Sequence, residues 1–245
     1  MRPKLLIVGH VDSTGRHGIA AGMRAAEALG VEPLPVVTAY ALGGGSTPEA
    51  IRPVWGGTIA RQLAAALTRE PEAALVGTVA RARHARLIGE QLAQAGPSAT
   101  VLAPMPSSFD ISPLIPARVF PAVRRYLVPE ARAVVVSALN AGKLVGSSGE
   151  DLDALRAIGQ LLLDLGAGCA WIRASPNESR RVDVFVDPNG PGLLDYQPAR
   201  RHSEPHAAAA SLAALLALGT KMRSAIGRAH RHADGLDRDP HALQA

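Results

Sequence analysis

Cysteine and aromatic residues are scarce in this sequence. Among 245 residues there is one cysteine, Cys169, and aromatic residues make up 3% of the chain. A single cysteine excludes an internal disulfide framework and a multi-cysteine zinc site. Cys169 lies in an apolar run over residues 168–172, where a buried strand thiol is expected. With so few aromatics, the core must consist of Ala, Leu and Val, which predicts alanine-rich helices packed closely on a sheet.

Long apolar runs are also lacking. The first apolar run, residues 5–9, has the length of a strand and is too short for the core of a signal peptide. The longest apolar helix pattern, residues 207–218, is too short to cross a bilayer. The sequence therefore predicts a soluble cytoplasmic protein with no membrane partner.

The positive charge is not clustered. The net charge is +5 at pH 7, and the surplus is arginine scattered along the chain. The pairs Arg180-Arg181 and Arg200-Arg201 are not part of a longer basic tract and have no aromatic residues between them. Nucleic-acid binding requires a basic patch concentrated on one face, so no nucleic-acid partner is expected.

Strand and helix patterns alternate along almost the whole chain. The predicted strands are residues 5–9, 34–41, 73–79, 100–103, 133–138, 169–174, 182–187 and 193–197. The predicted helices are residues 19–29, 57–68, 80–94, 117–127, 151–165, 206–218 and 222–233. Repeated strand–helix units predict a three-layer α/β/α sandwich with a mostly parallel central sheet, and the late strands predict antiparallel additions at one edge. We expect one domain over residues 1–233 and a polar tail over residues 234–245.

Several motifs follow the order and spacing of one kinase family. Residues 12–19 read D-S-T-G-R-H-G-I and resemble the D-P-S-G-G-A-G-I loop of the hydroxymethylpyrimidine and phosphomethylpyrimidine kinases. Residues 28–31 and 36–39 resemble that family's A-L-G-V and V-I-T-A, residues 75–79 its K-I-G-M-L, and residues 202–206 its H-G-T-G-C. The resemblance implies a ribokinase-like fold and phosphorylation of a hydroxymethyl group on a pyrimidine or pyridoxal-type compound.

The resemblance also implies two groups of site residues. The substrate-binding group comprises Asp12, Gly15, Gly18, Thr38 and Gly43. The nucleotide side comprises Arg173, Ser203 and Glu204, with His206 at the position of the family's catalytic Cys or Asp. Both groups are expected at the carboxyl ends of the parallel strands, where open α/β sheets bind ligands.

The sequence departs from the family at the positions that bind the transferring phosphoryl group. Ser203, Glu204 and Pro205 replace the family's G-T-G. Proline has no backbone N–H to donate, and a glutamate places negative charge where a phosphate would bind. The same three residues are also typical of an ordinary helix start. His206 replaces the family's base, a role that histidine can fill near neutral pH.

Other positions of the family's site have changed as well. Ser137 and Asn140 stand where the family's T-P-N-x-x-E has Asn and Glu, and Ala103 stands where its D-P-V has Asp. Hard divalent cations prefer carboxylate oxygens, so magnesium binding should be weakened. Gly43 replaces the glutamine that reads the pyrimidine, whereas Arg173 keeps a positive charge at the position of the family's lysine.

The eight histidines do not form a metal-binding pattern. His230 and His232 are two residues apart on a predicted helix and therefore point to different faces. His202 and His206 are separated by Pro205, and no third ligand accompanies them, so no metal site is expected. The sequence also lacks the nucleophile elbow of serine hydrolases.

Two functions remain open from the sequence. One is a degenerate, weakly active or inactive family member that binds a small heterocycle or a partner and has no certain cofactor. The alternative is an active ATP-dependent hydroxymethyl kinase with an altered site, for which ATP and magnesium would be the cofactors. Alanine- and leucine-rich surfaces, together with the family resemblance, suggest a homodimer.

Overall fold

The structure is a computed structural model and describes residues 2–15, 17–43, 48–104, 114–148, 151–173, 181–196 and 205–235. The strands are β1 Lys4–Asp12, β2 Glu32–Leu42, β3 Ala50–Pro53, β4 Ala73–Val76, β5 Ala99–Leu102, β6 Ala133–Ser137, β7 Ala170–Arg173, β8 Arg181–Asp187 and β9 Gly190–Tyr196. The helices are α1 Gly18–Ala28, α2 Gly56–Leu67, α3 Ala82–Ala95, α4 Val119–Tyr126, α5 Ala138–Val145, α6 Leu152–Asp164, α7 Pro205–Ala217 and α8 Met222–Gly235.

The strands form one sheet in the order β3-β2-β1-β4-β5-β6-β7-β8-β9. The six strands from β2 to β7 in this order pair in parallel. Antiparallel strands extend the sheet at both edges, β3 beside β2 and the β8–β9 hairpin beside β7. The observed fold confirms the predicted mostly parallel α/β sandwich and the antiparallel additions after β7.

Successive residues of β1 point into two separate layers of core, as expected for a strand that is buried on both faces. Leu6 and Val8 pack in a cluster with side chains of α2 to α6. Leu5 and Ile7 pack in the opposite cluster with side chains of α1, α7 and α8. The sheet is thus covered by helices on both faces, which gives the three layers.

Helix α7 illustrates how an alanine-rich core is built. Its residues 207–215 are all buried, including six alanines. Because no face of this helix is polar, it lies between the sheet on one side and α1 and α8 on the other. This arrangement confirms the expectation of alanine-rich helices close to a sheet. No helix among the described residues is both long and apolar enough to span a membrane.

Two elements were not predicted from the sequence. Strand β3 is four residues long and ends in Pro53, a composition that is acceptable only because it lies at the sheet edge. Helix α5 begins at Ala138 directly after β6, and no loop separates the two elements. The observed strand therefore ends one residue before the predicted strand over 133–138. Strand β4 was also predicted too long, since it ends at Val76 and not at residue 79.

Candidate small-molecule site

The loop between β1 and α1 is organised by Asp12. Its Oδ2 accepts hydrogen bonds from Thr14 Oγ1 at 2.6 Å and from the backbone N–H of His17 at 3.3 Å. His17 is the residue that precedes α1, so Asp12 supplies an acceptor to the unpaired donors at the start of this helix. Its other carboxylate oxygen, Oδ1, is buried and has no hydrogen-bond partner among the described residues.

Gly18 is required by the close approach of β1 to the start of α1. It has a φ of +56°, and a Cβ at this position would overlap the carbonyl oxygen of His10. The same Cβ would lie 3.0 Å from the Cε1 and Nε2 atoms of the His10 ring. Glycine avoids both the steric overlap and the strain of positive φ, so the imidazole of His10 can lie against the first residue of the helix.

A small pocket opens next to this contact. It lies at the carboxyl ends of the parallel strands and is lined by His10 of β1, Gly18 of α1, Thr78 just after β4, Ala103 just after β5, and Ala209 of α7. The space open to the centre of a water molecule is about 10 Å³, room for roughly one water. Its position is the one at which open α/β sheets bind ligands.

Two other predicted substrate residues lie at the same edge of the sheet as the pocket. Thr38 of β2 is fully buried, and its hydroxyl donates to the Thr78 carbonyl oxygen at 2.9 Å. Gly43 accepts a hydrogen bond of 2.6 Å at its carbonyl oxygen from Ser13 Oγ. The structure therefore brings Asp12, Gly15, Gly18, Thr38 and Gly43 to the same edge of the sheet, but of these five only Gly18 lines the pocket itself.

Burial controls the charge of His10. The side chain is buried, and this burial lowers the pKa of His10 to about 4, although the carboxylate of Asp12 acts in the opposite direction. The imidazole is therefore neutral at physiological pH and can offer one nitrogen as a donor and the other as an acceptor. The polar groups that line the pocket, His10 and Thr78, thus carry no charge.

The start of α7 is close to the same pocket. The helix begins at Pro205, the early proline predicted from the sequence. Ala209, one turn further on, lines the pocket, so the backbone of His206 in the first turn is nearby. The side chain of His206 is outside the described part of the structure, and so are Ser203 and Glu204.

Arg173, predicted on the nucleotide side, is held inside a buried cluster. It lies at the end of β7, and its Nε donates to Asp183 Oδ2 of β8 at 3.3 Å. The same carboxylate oxygen accepts a hydrogen bond of 2.9 Å from Trp171 Nε1, and His230 Nε2 lies 3.9 Å from it. Asp183 is fully buried, so the charge of Arg173 is already balanced by a carboxylate of the protein.

The positions to which the family resemblance assigns magnesium binding form a helix cap in this chain. Ser137 Oγ accepts hydrogen bonds from the backbone N–H and the side-chain amide of Asn140, at 3.3 and 3.1 Å. Ser137 is the N-cap of α5, and Asn140 is fully buried. A hydroxyl and an amide without a carboxylate do not fit a hard divalent cation. Within the described ranges, no group of three or more His, Cys, Asp or Glu side chains could hold a metal.

The sequence reasoning missed His10 and Thr78, although both carried a signal. His10 is a polar residue near the end of an otherwise apolar strand, and Thr78 follows Gly77 immediately beyond another strand. Polar residues at the carboxyl ends of neighbouring parallel strands meet at one edge of the sheet. This rule would have placed both side chains at the pocket before the structure was known.

A mostly parallel central sheet, helices on both faces and a pocket at the carboxyl edge define a three-layer α/β protein, as expected for the ribokinase-like fold. The family model of phosphomethylpyrimidine kinase matches residues 12–242. The chain therefore belongs to the phosphomethylpyrimidine kinase family. A search of curated proteins finds no match.

Solved structures with the same fold include pyridoxal kinases and a phosphomethylpyrimidine kinase. A pyridoxal kinase from Staphylococcus aureus in complex with AMP-PCP and pyridoxal has a TM-score of 0.83 and 20% identity, covering 94% of this chain and 86% of that chain. A phosphomethylpyrimidine kinase from Clostridium difficile 630 has a TM-score of 0.83 and 21% identity, covering 97% of this chain and 100% of that chain. An ADP complex of Bacillus subtilis pyridoxal kinase has a TM-score of 0.85 and 21% identity, covering 94% of this chain and 90% of that chain. At such low identity the likeness shows the shared fold alone.

Proposed function

We propose that this chain binds a small nitrogen heterocycle at the carboxyl edge of its sheet and transfers phosphoryl groups very slowly or not at all. The observation that supports the proposal is the pocket between the ends of β1, β4 and β5 and the starts of α1 and α7, which has room for about one water in this structure and must widen to admit a ring. Pyridoxal is bound by the Staphylococcus aureus kinase with the same fold, which supports a flat ring as the ligand.

The polar groups on the nucleotide side argue against efficient phosphoryl transfer. This chemistry depends on cations and N–H donors that are free to meet the phosphates. Arg173 is instead paired with Asp183, and Ser137 and Asn140 bond to each other. At the start of α7, Pro205 offers no N–H donor. Each of these features removes a contribution that the reaction requires.

A working kinase with an altered site is the second candidate function. The position of His206 favours it, because the first turn of α7 lies next to the pocket and a histidine there could take a proton from a hydroxymethyl group. If this alternative holds, ATP and magnesium are the cofactors. A homodimer and a cytoplasmic location remain predictions under either function.

The two functions are separated by measuring binding and turnover on the same protein. We expect saturable binding of hydroxymethylpyrimidine or pyridoxal by calorimetry, without a requirement for magnesium ATP. Benzyl alcohol, which has a hydroxymethyl group but no ring nitrogen, is the matched control and should not bind. Phosphorylated product is then sought by mass spectrometry with magnesium ATP in excess. Turnover near 1 per second, within the usual range of enzymes, would establish the kinase instead.

A further inference from the structure

The starts of α2 and α3 lie close together, and neither has a capping side chain. Helix α2 begins with Gly56 and Gly57, and α3 begins at Ala82 after Arg81; no side chain caps either helix, and no acidic residue lies in either first turn. The first N–H groups of a helix have no partner within it, and the helix dipole adds partial positive charge there. Both starts therefore present donors that suit a negatively charged group.

His84 connects the two helix starts. It lies in the first turn of α3 and is fully buried, and neither ring nitrogen has a hydrogen-bond partner among the residues described. A Cβ on Gly56 would lie 3.9 Å from Cδ2 and 4.0 Å from Nε2 of this imidazole, so this edge of the ring faces the first residue of α2. Outside the backbone of α2 and the adjacent residues, no other described atom lies within 4 Å of that position. Burying an imidazole without partners is unfavourable, and an oxygen bound beside Gly56 would remove part of this cost.

Two arginines at the start of α3 add positive charge. Arg81 precedes the helix and Arg83 lies in its first turn; both side chains are exposed, and neither forms an ion pair within the described ranges. Arg86 differs, because its Nε pairs with Glu90 at 2.7 Å. Burial lowers the pKa of His84 to about 4, and the charges of Arg83 and Arg81 act in the same direction. Cations at the N-terminus of a helix are unfavourable, so a bound anion would stabilise this arrangement.

We propose that the starts of α2 and α3 form a second binding site, in which a phosphate-type oxyanion accepts hydrogen bonds from the N–H groups of Gly56 and Gly57 and from the imidazole of His84. Helix N-termini bind phosphate through such N–H donors and through the helix dipole. The site lies on the opposite face of the sheet from the pocket, because α2 and α3 pack with Leu6 and Val8, whereas the pocket is lined by α1 and α7. It does not depend on the proposed function.

Trp55 places an aromatic ring beside this site. A Cβ on Gly57 would lie 2.6 Å from Cζ3 and Cη2 of the indole, so the ring lies across the first turn of α2. Trp55 is 66% exposed, and the guanidinium of Arg61 lies 5.8 Å from its ring centroid. The other tryptophan, Trp171, is fully buried. A neutral quencher in solution therefore reports on Trp55.

Binding is tested by calorimetry of the full chain with inorganic phosphate and, separately, with phenyl phosphate, which carries the same oxyanion on a ring that can stack on Trp55. We expect saturable binding of both probes and protection of Trp55 fluorescence from acrylamide. Tighter binding of phenyl phosphate would assign the site to a phosphate ester, and equal or weaker binding would assign it to free phosphate. If neither probe binds saturably, the proposal is overturned.

The position of the anion is tested by Gly56→Asp, which supplies the site with a carboxylate of its own. Gly56 does not have a positive φ, and a Cβ there makes only ordinary contacts. A carboxylate at a helix start is stabilising, so the Tm should stay the same or rise while the affinity for phosphate falls about tenfold or more. Gly56→Asn has the same size without the charge and should keep most of the affinity. Unchanged affinity in Gly56→Asp, or equal losses in the two variants, would overturn the proposal.

The donor is tested by His84→Leu, which removes the imidazole and keeps an apolar side chain in the core. It should bind phosphate about tenfold to a hundredfold more weakly, the value of one hydrogen bond to a charged group, and His84→Gln, which keeps an N–H donor, should recover part of the affinity. Arg83→Gln should also weaken binding, whereas Arg86→Gln should not, because Arg86 is paired with Glu90. A purely structural His84 would change the Tm and leave the affinity for phosphate as it is. Should His84→Leu not fold, the two Gly56 variants decide the outcome.

Discussion

The two sides of the carboxyl edge use their polar side chains differently. On the side of β1 and α1, Asp12 shapes the loop, Thr38 fixes the segment after β4, and Thr78 keeps a buried hydroxyl without a partner among the described residues. On the side of β6 and β7, Arg173 is paired with Asp183, and Ser137 caps a helix. The first side thus contains the pocket, whereas the polar side chains of the second side bind one another.

Under the proposed function, phosphoryl transfer is lost while ring binding is kept on one fold. A pocket for a ring depends on backbone approach and apolar walls, which Gly18 and the alanines of α7 supply. Transfer depends on a few charged side chains and free N–H groups. Substituting those few residues leaves the sheet and its helices intact, so the family fold does not carry the activity with it.

The largest expected effect comes from restoring the residues at the start of α7. The combined variant Ser203→Gly, Glu204→Thr, Pro205→Gly and His206→Cys removes a negative charge and returns the one backbone N–H donor that Pro205 lacks. One such donor contributes roughly 3 kcal/mol to transition-state stabilisation, or about a hundredfold in rate. We expect the variant to gain nucleotide binding by calorimetry, while the wild type shows none.

The single variant His206→Cys is the control for this experiment, since a nucleophile or base alone cannot replace the N–H donors. It should behave like wild type. If the combined variant also fails to bind nucleotide, then the paired Arg173 and the cap at Ser137 are the features that prevent binding. Tight nucleotide binding by the wild type would remove the contrast between the two sides.

The next effect is on stability and concerns Asp183. This carboxylate is fully buried and accepts hydrogen bonds from both Trp171 and Arg173. Asp183→Ala leaves the buried guanidinium without its counter-charge, which costs about 3–5 kcal/mol. Urea denaturation should show this loss. Glu32→Ala is the matched control, because the Glu32–Arg69 pair is exposed and such pairs contribute at most about 1 kcal/mol. Equal losses in the two variants would mean that Arg173 does not depend on Asp183.

The sequence predicts the overall fold better than it predicts the contacts between distant residues. The alternation of strands and helices was sufficient for the sheet and its layers, because periodicity follows directly from burial on two faces. Strand β3 was missed because four residues ending in Pro53 have no periodicity. The pairing of Arg173 with Asp183 could not be predicted either, because it joins two strands across residues 174–180, and no local pattern specifies such a contact.

A smaller loss of stability is expected for Gly18→Ala on the ring side. Positive φ costs an alanine about 1–2 kcal/mol, and overlap with the His10 carbonyl oxygen adds to this, so we expect about 2–3 kcal/mol in all. Gly15→Ala is the matched control, since Gly15 has a φ of +65° but nothing within 4 Å of its Cβ position. It should lose only about 1 kcal/mol. Similar losses at both positions would show that His10 does not press against α1.

The smallest effect is a pH dependence that arises on the ring side. Burial lowers the pKa of His10 from 6.5 to about 4. Between these values the unfolded chain binds a proton that the folded protein excludes, so stability is complete above pH 6.5 and falls as the pH decreases towards 4. At pH 5.5 this linkage amounts to about 1.4 kcal/mol.

His84 is the matched control for this pH dependence. Burial is also the chief reason why the pKa of His84 is lowered to about 4. The loss between pH 7 and 5.5 should therefore shrink by about 1.2 kcal/mol in His10→Ala and by a similar amount in His84→Ala. Only the first of these variants should also change the affinity for a ring, because only His10 lines the pocket. Urea denaturation at the two pH values measures the stabilities, and calorimetry at pH 7 measures the affinities. If His10→Ala keeps the full acid sensitivity of the wild type, its imidazole is not buried in a neutral form, and the uncharged character assigned to the ring side is wrong.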